Sequence, residues 1–182
     1  MICYILLMKI KFTCKPIHQY KDRIHYVNEN DVRIILSRLP KEVYSRLKCV
    51  HFNDHSMGVR RLGYTNRGRR EIAICALPPR VSLSRFLIPR KQSPKQFGAC
   101  RGAQWPTLAI RRFMLYDVFL HELGHLQIIH ERSKDERRKF AVETKAQEFA
   151  DFWRKKLWSV NFDHPDPVHN PPTEEELKKI GG

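Results

Sequence analysis

The chain has 182 residues, of which 42% are hydrophobic and 10% aromatic, and it carries 34 Lys and Arg against 19 Asp and Glu. This composition can build the core of one ordinary domain and excludes a wholly disordered chain. It also excludes a helical membrane protein, because no apolar run approaches about 20 residues. The formal net charge of +15 predicts attraction to polyanions such as nucleic acid, an acidic protein or an anionic membrane surface.

The cysteines and the amino terminus bear on where the protein works. Five scattered cysteines form no C-x-x-C pair, which predicts a cytoplasmic protein in a reducing compartment and no zinc ribbon. The opening run MICYILLMKIKF lacks a leading basic residue and a small-residue cleavage site, so we expect a buried edge strand and no signal peptide. We assign residues 1–20 to this strand or extension.

The first half of the chain alternates helical and β-prone patterns. NENDVRIILSRLP predicts a helix capped by Asn30 and ended by Pro40, and PKEVYSRLKCV predicts a second one. The runs CVHFND, VRRLGYT and REIAICAL are β-prone, and EIAICAL is apolar enough for an inner strand. Asn66 and Gly68 in NRGRR suit a hairpin turn between the last two runs.

The second half predicts a long loop, two long helices and a tail. The stretch Pro78–Pro106 is rich in Pro, Ser, Arg and Gly and predicts a loop excursion, and loops of this length usually cover a site or bind a ligand. A helix capped by Thr107 should run to about Ile129. The capping box of Ser133 and Glu136 should open a helix from residue 134 to about 158. The main domain therefore spans residues 21–160, and residues 161–182 form a Pro-rich tail that is extended or partly mobile.

The run LYDVFLHELGHLQIIH places ionisable side chains in an apolar helix. His121 and His125 are four residues apart, so they lie one turn apart on one helical face and both can reach one ion. Glu122 directly follows His121 and projects about 100° around the helix from it, so it does not easily bind the same ion. It can, however, take a proton from the water bound to that ion. This is the H-E-x-x-H pattern of zinc peptidases. The alternative is a core helix with two hydrogen-bonded histidines and Glu122 at the surface.

A third protein ligand is expected from the following helix. Metzincins place a histidine six residues after the second motif histidine, but position 131 is Glu here. Glu143 and Glu148 are both candidates. Glu143 is predicted to point inward, because it shares a face with Phe140, Ala146, Gln147 and Ala150. Glu148 shares a face with Thr144, Lys145 and Asp151, which predicts exposure. We therefore assign His121, His125 and Glu143 as metal ligands.

These motifs resemble the ImmA/IrrE family of small gluzincin-type metallopeptidases. The resemblance rests on HELGH followed by E-x-x-A-x-x-F-A, which begins at Glu143, and it covers roughly Tyr64 to Trp158. It implies a soluble zinc-dependent protease that often cuts a regulatory protein. The family usually has Asn where this chain has Gln147, whose longer side chain could still hydrogen-bond a ligand histidine. The family's usual helix-turn-helix partner domain is not recognisable.

Further residues are candidates for supporting roles. Asp117 lies one turn before His121 and could accept the outer N–H of a ligand histidine; alternatively, it faces solvent or an arginine such as Arg111. Gly124 should let the Glu143 helix or a strand approach closely. Four residues could each supply a donor for the oxyanion: Tyr64, Tyr116, His164 and His169. REIAICAL could offer its edge to an extended peptide.

Taken together, these patterns predict an α+β fold of minimal zincin-like type. A small, mostly antiparallel sheet should pack on the active-site helix and on the glutamate-bearing helix. The predicted function is a zinc-dependent metalloendopeptidase that acts on a protein or peptide, with Glu122 as catalytic base and no membrane partner. The alternative is a basic nucleic-acid-binding or partner-binding protein with a structural metal site. A third possibility is a peptidase that stays inactive until a partner engages its basic surface or residues 78–106.

Overall fold

The computed structural model describes residues 9–15, 22–128 and 136–181. They form a small α+β domain, which confirms the predicted fold class. The sheet has four strands in the order β1-β2-β4-β3. The strands are β1 (Lys11–Cys14), β2 (Cys49–Asn53), β3 (Gly63–Asn66) and β4 (Glu71–Cys75).

The prediction of a mostly antiparallel sheet is wrong. β1 pairs with β2 and β2 pairs with β4 in parallel, and only β3 and β4 are antiparallel. The reason lies in the connections. The chain passes through helices α1 (Glu29–Arg38) and α2 (Lys41–Tyr44) between β1 and β2, whereas a short turn joins β3 to β4. A helical crossover returns the chain in its original direction, but a short turn reverses it.

The apolar run EIAICAL forms the inner strand that was predicted. Residues 72–75 of β4 are buried, and the strand lies between β2 and β3. The hairpin turn is also confirmed, because the Asn66 side chain accepts a hydrogen bond of 3.2 Å from the Arg69 amide. The left-handed backbone conformation falls at Arg70 (φ 62°), however, and not at Gly68.

The two ends of the first helical region differ from their predictions. β1 is an edge strand, but it is largely exposed, and residues 1–8 of the expected buried strand lie outside the described residues. Helix α1 is capped by Asn28 and not by Asn30. The Asn28 side chain accepts from the Asp31 amide at 3.1 Å, and Asp31 accepts from the Asn28 amide at 3.0 Å. This reciprocal pair forms a capping box, and the cap lies two residues earlier than predicted.

The stretch from residue 78 to 106 is more structured than a loop excursion. It contains helix α3 (Ser84–Leu87) and a short 3-10 helix (Pro94–Phe97). Phe97 and Trp105 are buried and stack with ring centroids 6.4 Å apart. The apolar residues of this stretch are interrupted by prolines and follow neither a helical nor a strand period. Their burial in the core therefore could not be predicted from periodicity.

The predicted motif helix is a continuous helical stretch with three parts. Helix α4 (Thr107–Phe113) is followed by a π-helical segment (Met114–Phe119) and by helix α5 (Leu120–Gln127). Pro106 occupies the cap position and Thr107 is the first helical residue. Ile129, the predicted end, lies outside the described residues. A π-helix has more residues per turn than an α-helix. The π segment therefore changes which side chains lie on the same helical face as His121 and His125.

Helix α6 (Glu136–Trp158) packs across α5 at a glycine. A Cβ atom at Gly124 would lie 3.0 Å from the Phe149 ring and 3.1 Å from the Ala146 carbonyl oxygen. This confirms that Gly124 allows the glutamate-bearing helix to approach closely. The capping residue Ser133 that was predicted for this helix lies outside the described residues.

The C-terminal segment contains a 3-10 helix (Pro167–His169) and helix α7 (Glu174–Gly181), so it is not extended throughout. Arg111 fixes it by a 2.6 Å ion pair with Asp166. Val168 and His169 are fully buried. Within the described part of the chain, no helix combines the length and apolar character needed to cross a membrane.

Candidate metal centre

Three side chains predicted to bind a metal converge at the crossing of α5 and α6. His121 Nε2 lies 3.1 Å from His125 Nε2 and 3.2 Å from Glu143 Oε2. His125 Nε2 lies 3.4 Å from Glu143 Oε1. Four-coordinate zinc with ligand bonds of about 2.0–2.2 Å requires ligand atoms about 3.3–3.6 Å apart. The observed distances nearly match this spacing, and the group could hold a metal ion.

The local sequence explains this convergence. His121 and His125 are held in α5, where their side chains are largely buried, at 8% and 10% exposure. Ala146 and Ala150 are fully buried against the neighbouring helix, which turns the face of Glu143 towards the histidines. Phe140 departs from the predicted inward stripe, because it is 75% exposed. The site therefore lies where the packed part of α6 gives way to an open surface.

The neighbouring imidazoles, first His121 and then His125, hold the pKa of the Glu143 carboxyl well below its usual range. This carboxyl is consequently ionised at neutral pH, as a metal ligand must be. Its side chain is 61% exposed, which leaves one side of the cluster open to solvent. Glu148, the other candidate, is exposed and is not part of the cluster.

Gln147 lies behind His121 and determines its tautomer. The Gln147 side-chain nitrogen donates to Asp117 and to Asp151, both at 3.0 Å. This fixes its carbonyl oxygen towards His121 Nδ1, at 3.1 Å. Because a carbonyl oxygen only accepts, Nδ1 carries the proton and the Nε2 lone pair faces Glu143 and His125. The predicted contact between Gln147 and a ligand histidine is therefore present.

Of the two alternatives for Asp117, the structure has the one in which it faces arginines, and Asp117 does not contact a ligand histidine directly. Asp117 is fully buried and reaches His121 only through Gln147. Arg90 and Arg154 both donate to its carboxylate, the latter at 2.9 Å. Asp117 belongs to the π-helical segment, where each residue turns less about the axis than in an α-helix. Its side chain therefore does not project directly beneath His121.

Glu122 lies beside the three candidate metal ligands, next to the edge strand β3. It is 9% exposed, and the Thr65 hydroxyl lies 2.8 Å from its Oε2 atom and 2.8 Å from its backbone carbonyl. Among the described residues, no hydrogen bond holds the other carboxylate oxygen, Oε1. A Cβ atom at Gly63 would lie 3.2 Å from Glu122 Cγ. Gly63 therefore lets β3 approach the motif helix, and Glu122 faces a groove between them.

Arg67 contacts the second histidine from the hairpin turn. Its Nη2 atom lies 3.2 Å from His125 Nδ1. A guanidinium group only donates, so this contact requires a lone pair on Nδ1 and places the imidazole proton on Nε2. A metal bound through Nε2 requires the opposite tautomer. The contact with Arg67 and a metal bond at Nε2 therefore exclude each other.

The groove contains none of the four predicted oxyanion donors. Its lining residues among those described are Arg60, Arg61, Leu62, Gly63, Phe86, Arg90, Val118, His121, Glu122 and Glu143. Tyr116 and His169 are buried together, 3.1 Å apart. Tyr64 accepts from Asn53 at 3.1 Å, and His164 accepts from the Asp166 amide at 3.1 Å. The positively charged residues of the groove are arginines.

Thr65, Arg67, Arg90 and Arg154 are site residues that the sequence did not identify. Arg67 belongs to the basic run NRGRR, which drew attention only as a potential phosphate contact. Thr65, Arg67 and Arg90 each lie more than 20 positions from the motif residue or aspartate that they contact, and Arg154 lies equally far from Asp117. Only the tertiary fold brings them together, so no local spacing could have indicated their roles.

Comparisons with protein-family models, with curated proteins and with solved structures gave no match. The resemblance to the ImmA/IrrE family therefore stays a prediction.

Proposed function

We propose that the protein is a zinc-dependent metallopeptidase whose metal is held by His121, His125 and Glu143. The observation that carries the proposal is the convergence of two imidazole nitrogens and one carboxylate, at a spacing that suits a tetrahedral ion. Two histidines and one glutamate with an open fourth position are typical of catalytic zinc sites, whereas structural sites are closed by four protein ligands. A bound ion would polarise the scissile carbonyl and lower the pKa of a water towards about 7.

Glu122 is the proposed catalytic base. Its Oε2 atom is within reach of the Thr65 hydroxyl, at 2.8 Å, which orients the carboxylate in the groove. The carboxylate takes a proton from the attacking water and returns it to the departing amine. The amine then leaves as a neutral group, and Glu122 is ionised again for the next cycle.

The substrate strand would pair with β3. The prediction that REIAICAL offers its edge is wrong, because β4 lies inside the sheet and β3 is the edge beside the motif helix. An extended peptide added to β3 would pass Glu122 and the metal ligands along the groove. This placement supports an endopeptidase, since both ends of a peptide can continue past the strand.

The first test is metal binding. The purified chain should bind one zinc ion, measured by elemental analysis after dialysis. Glu143→Ala should lose it, because two imidazoles remain without the carboxylate. Glu148→Ala is the matched control on the same helix and should retain one ion. Equal metal content in all three proteins would contradict the ligand assignment.

The second test is turnover on a defined peptide mixture, with cleavage followed by mass spectrometry. Glu122→Gln should bind zinc normally and cut at least about 100-fold more slowly, as expected for loss of an acid–base group. Normal cleavage by this variant would refute the mechanism. If the zinc-loaded chain cuts no peptide but binds an oligonucleotide with a steep salt dependence, the nucleic-acid-binding alternative is favoured.

A further inference from the structure

The groove beside the candidate metal centre carries two arginines that form no ion pair among the described residues. Arg60 and Arg61 line it and are exposed. Neither forms an ion pair with a carboxylate among the described residues, and Arg61 instead lies over the Tyr64 ring at 5.2 Å. Arg90 also lines the groove, but it is bound to the buried Asp117. Charge is therefore available for a ligand at residues 60 and 61.

The acidic residues of the groove are engaged by groups other than these two arginines. Glu122 and Glu143 are the only carboxylates among its described lining residues. Glu143 is engaged by the two histidines, and Glu122 by Thr65. Glu143 is itself a candidate metal ligand and Glu122 lies beside it. Both are therefore close to the proposed divalent ion, which would add further positive charge. The part of the groove near residues 60 and 61 is consequently a site for negative charge.

The edge strand next to these arginines presents peptide groups. The Cys75 amide donates to the Leu62 carbonyl at 2.9 Å. Hydrogen-bonded and non-hydrogen-bonded pairs alternate along an antiparallel ladder. The pairs Gly63 with Ile74 and Thr65 with Ile72 are therefore non-hydrogen-bonded. The N–H and C=O groups of Gly63 and Thr65 consequently point away from β4, along the open edge.

We propose that the ligand of this groove is an acidic peptide segment that pairs with β3 and places carboxylates against Arg60 and Arg61. The inference rests on the proposed function and names its substrate class. The edge offers both donors and acceptors, and an extended peptide complements both. A phosphodiester backbone lacks N–H donors and would leave the Gly63 and Thr65 carbonyls unpaired. The geometry therefore favours an acidic peptide over nucleic acid.

The first experiment measures binding without turnover. The zinc-loaded full chain with Glu122→Gln is titrated into a fluorescein-labelled 12-residue peptide of alternating Val and Glu, and into its Val and Gln counterpart. We expect the Glu peptide to bind at least about 10-fold more tightly at low salt, with the difference shrinking as salt rises. Equal binding of the two peptides would overturn the proposal, even if the wild-type protein is a peptidase.

Charge-reversal variants locate the effect. In the Glu122→Gln background, Arg60→Glu and Arg61→Glu should each remove most of the preference for the acidic peptide. Arg101→Glu carries the same charge change at an exposed position outside the groove and should retain it. Arg60→Gln, with half the charge change, should fall between. An equal loss in Arg101→Glu would show a non-specific charge effect and overturn the assignment.

Turnover and competition separate this proposal from the proposed function. If a peptide is cut by the wild type, its Glu-flanked form should have a higher kcat/KM than its Gln-flanked form. Cleavage without this preference would refute the acidic substrate and leave the peptidase intact. Selective binding of the acidic peptide without any cleavage would support the docking surface and refute the peptidase. A single-stranded DNA 12-mer that displaces the peptide and binds more tightly would overturn the proposal in favour of nucleic acid.

Discussion

The side-chain oxygen of Gln147 lies 3.1 Å from Nδ1 of His121 and holds the imidazole proton on Nδ1, away from the other two candidate metal ligands. The amide cannot easily turn over, because its nitrogen already donates to Asp117 and Asp151. These two aspartates are in turn bound by Arg154, at 2.9 and 2.8 Å. A largely buried ionic network therefore determines which nitrogen of His121 is free to bind a metal.

Replacing Gln147 with Leu should weaken metal binding. The change keeps the size of the side chain but removes the acceptor for the His121 N–H, so the required tautomer loses its stabilisation. We expect a loss of zinc affinity of about 10-fold to 100-fold, as for other outer partners of metal ligands. A competition titration with a chromophoric chelator measures this change. Gln104→Leu, at an exposed position, is the control, and equal affinities in the two variants would contradict the role of Gln147.

Replacing Gly124 with Ala should separate the two helices that hold the ligands. The added methyl group would meet the Ala146 backbone at 3.1–3.2 Å and the Phe149 ring at 3.0 Å. Since backbone atoms cannot move aside cheaply, we expect a loss of about 1–3 kcal/mol in the free energy of unfolding. Zinc affinity should fall as well, because Glu143 would move with α6. Urea unfolding and the chelator titration measure the two effects.

The control for this substitution is Gly68→Ala, in the hairpin turn. Its added Cβ would meet only the Asn66 side-chain oxygen at 3.7 Å, which is an ordinary contact. Both its stability and its zinc affinity should stay close to those of the wild type. If Gly124→Ala behaved in the same way, the close approach of the helices would not be needed for the site.

Local sequence patterns predicted the convergence of His121, His125 and Glu143 because helical geometry is regular. A spacing of four residues puts His121 and His125 on one face wherever the helix lies, and the apolar face of α6 identified Glu143 over Glu148. The exposed Phe140 shows the limit of that argument, since a stripe does not reveal where the packing ends. Asp117 shows another limit, because its side chain depends on a π segment that the residue pattern does not indicate.

The arrangement of the sheet depended on contacts distant in sequence. Each β-prone run overlaps a strand, although β3 begins only at Gly63, and strand direction depends on the crossover through α1 and α2. The edge strand beside the site is β3, whereas the more strongly apolar β4 pairs with a neighbouring strand along both of its edges. Arg67 could not be assigned from the sequence for the same reason. Its distance to His125 follows from the path of the β3–β4 hairpin across the motif helix.

Replacing Arg67 with Met should strengthen metal binding. In the present arrangement Arg67 donates to His125 Nδ1, and a metal at Nε2 would place an N–H group against the guanidinium. Removing the arginine abolishes this competition and a nearby positive charge. We expect zinc affinity to rise by about 10-fold, equivalent to the loss of one hydrogen bond to a charged group. Arg69→Met, at an equally exposed position in the same turn and without a hydrogen bond to His125, should have no effect. A lower affinity in Arg67→Met would show that the arginine supports the site.

His169 predicts a pH dependence of stability that does not involve the metal centre. Burial, followed by the nearby His164, lowers the pKa of His169 from 6.5 to about 4. Its Nε2 atom has no partner among the described residues, so a proton added there would be buried without an acceptor. The unfolded chain binds this proton near pH 6.5, and the folded chain binds it only near pH 4. Stability from this group is therefore complete above pH 6.5 and declines as the pH falls towards 4.

The expected size of this decline is about 3 kcal/mol, since one pKa unit corresponds to about 1.4 kcal/mol. Urea unfolding of the metal-free protein between pH 7.5 and 4, with wild type and His169→Asn compared at each pH, isolates the contribution. The Asn oxygen can still accept from Tyr116, whose hydroxyl lies 3.1 Å from His169 Nδ1. The variant should be less stable at pH 7.5 and should lose less stability towards pH 4. His55→Asn, at an exposed position, should follow the wild-type curve. Parallel curves for the wild type and His169→Asn would show that the His169 imidazole becomes protonated as readily in the folded chain as in the unfolded one.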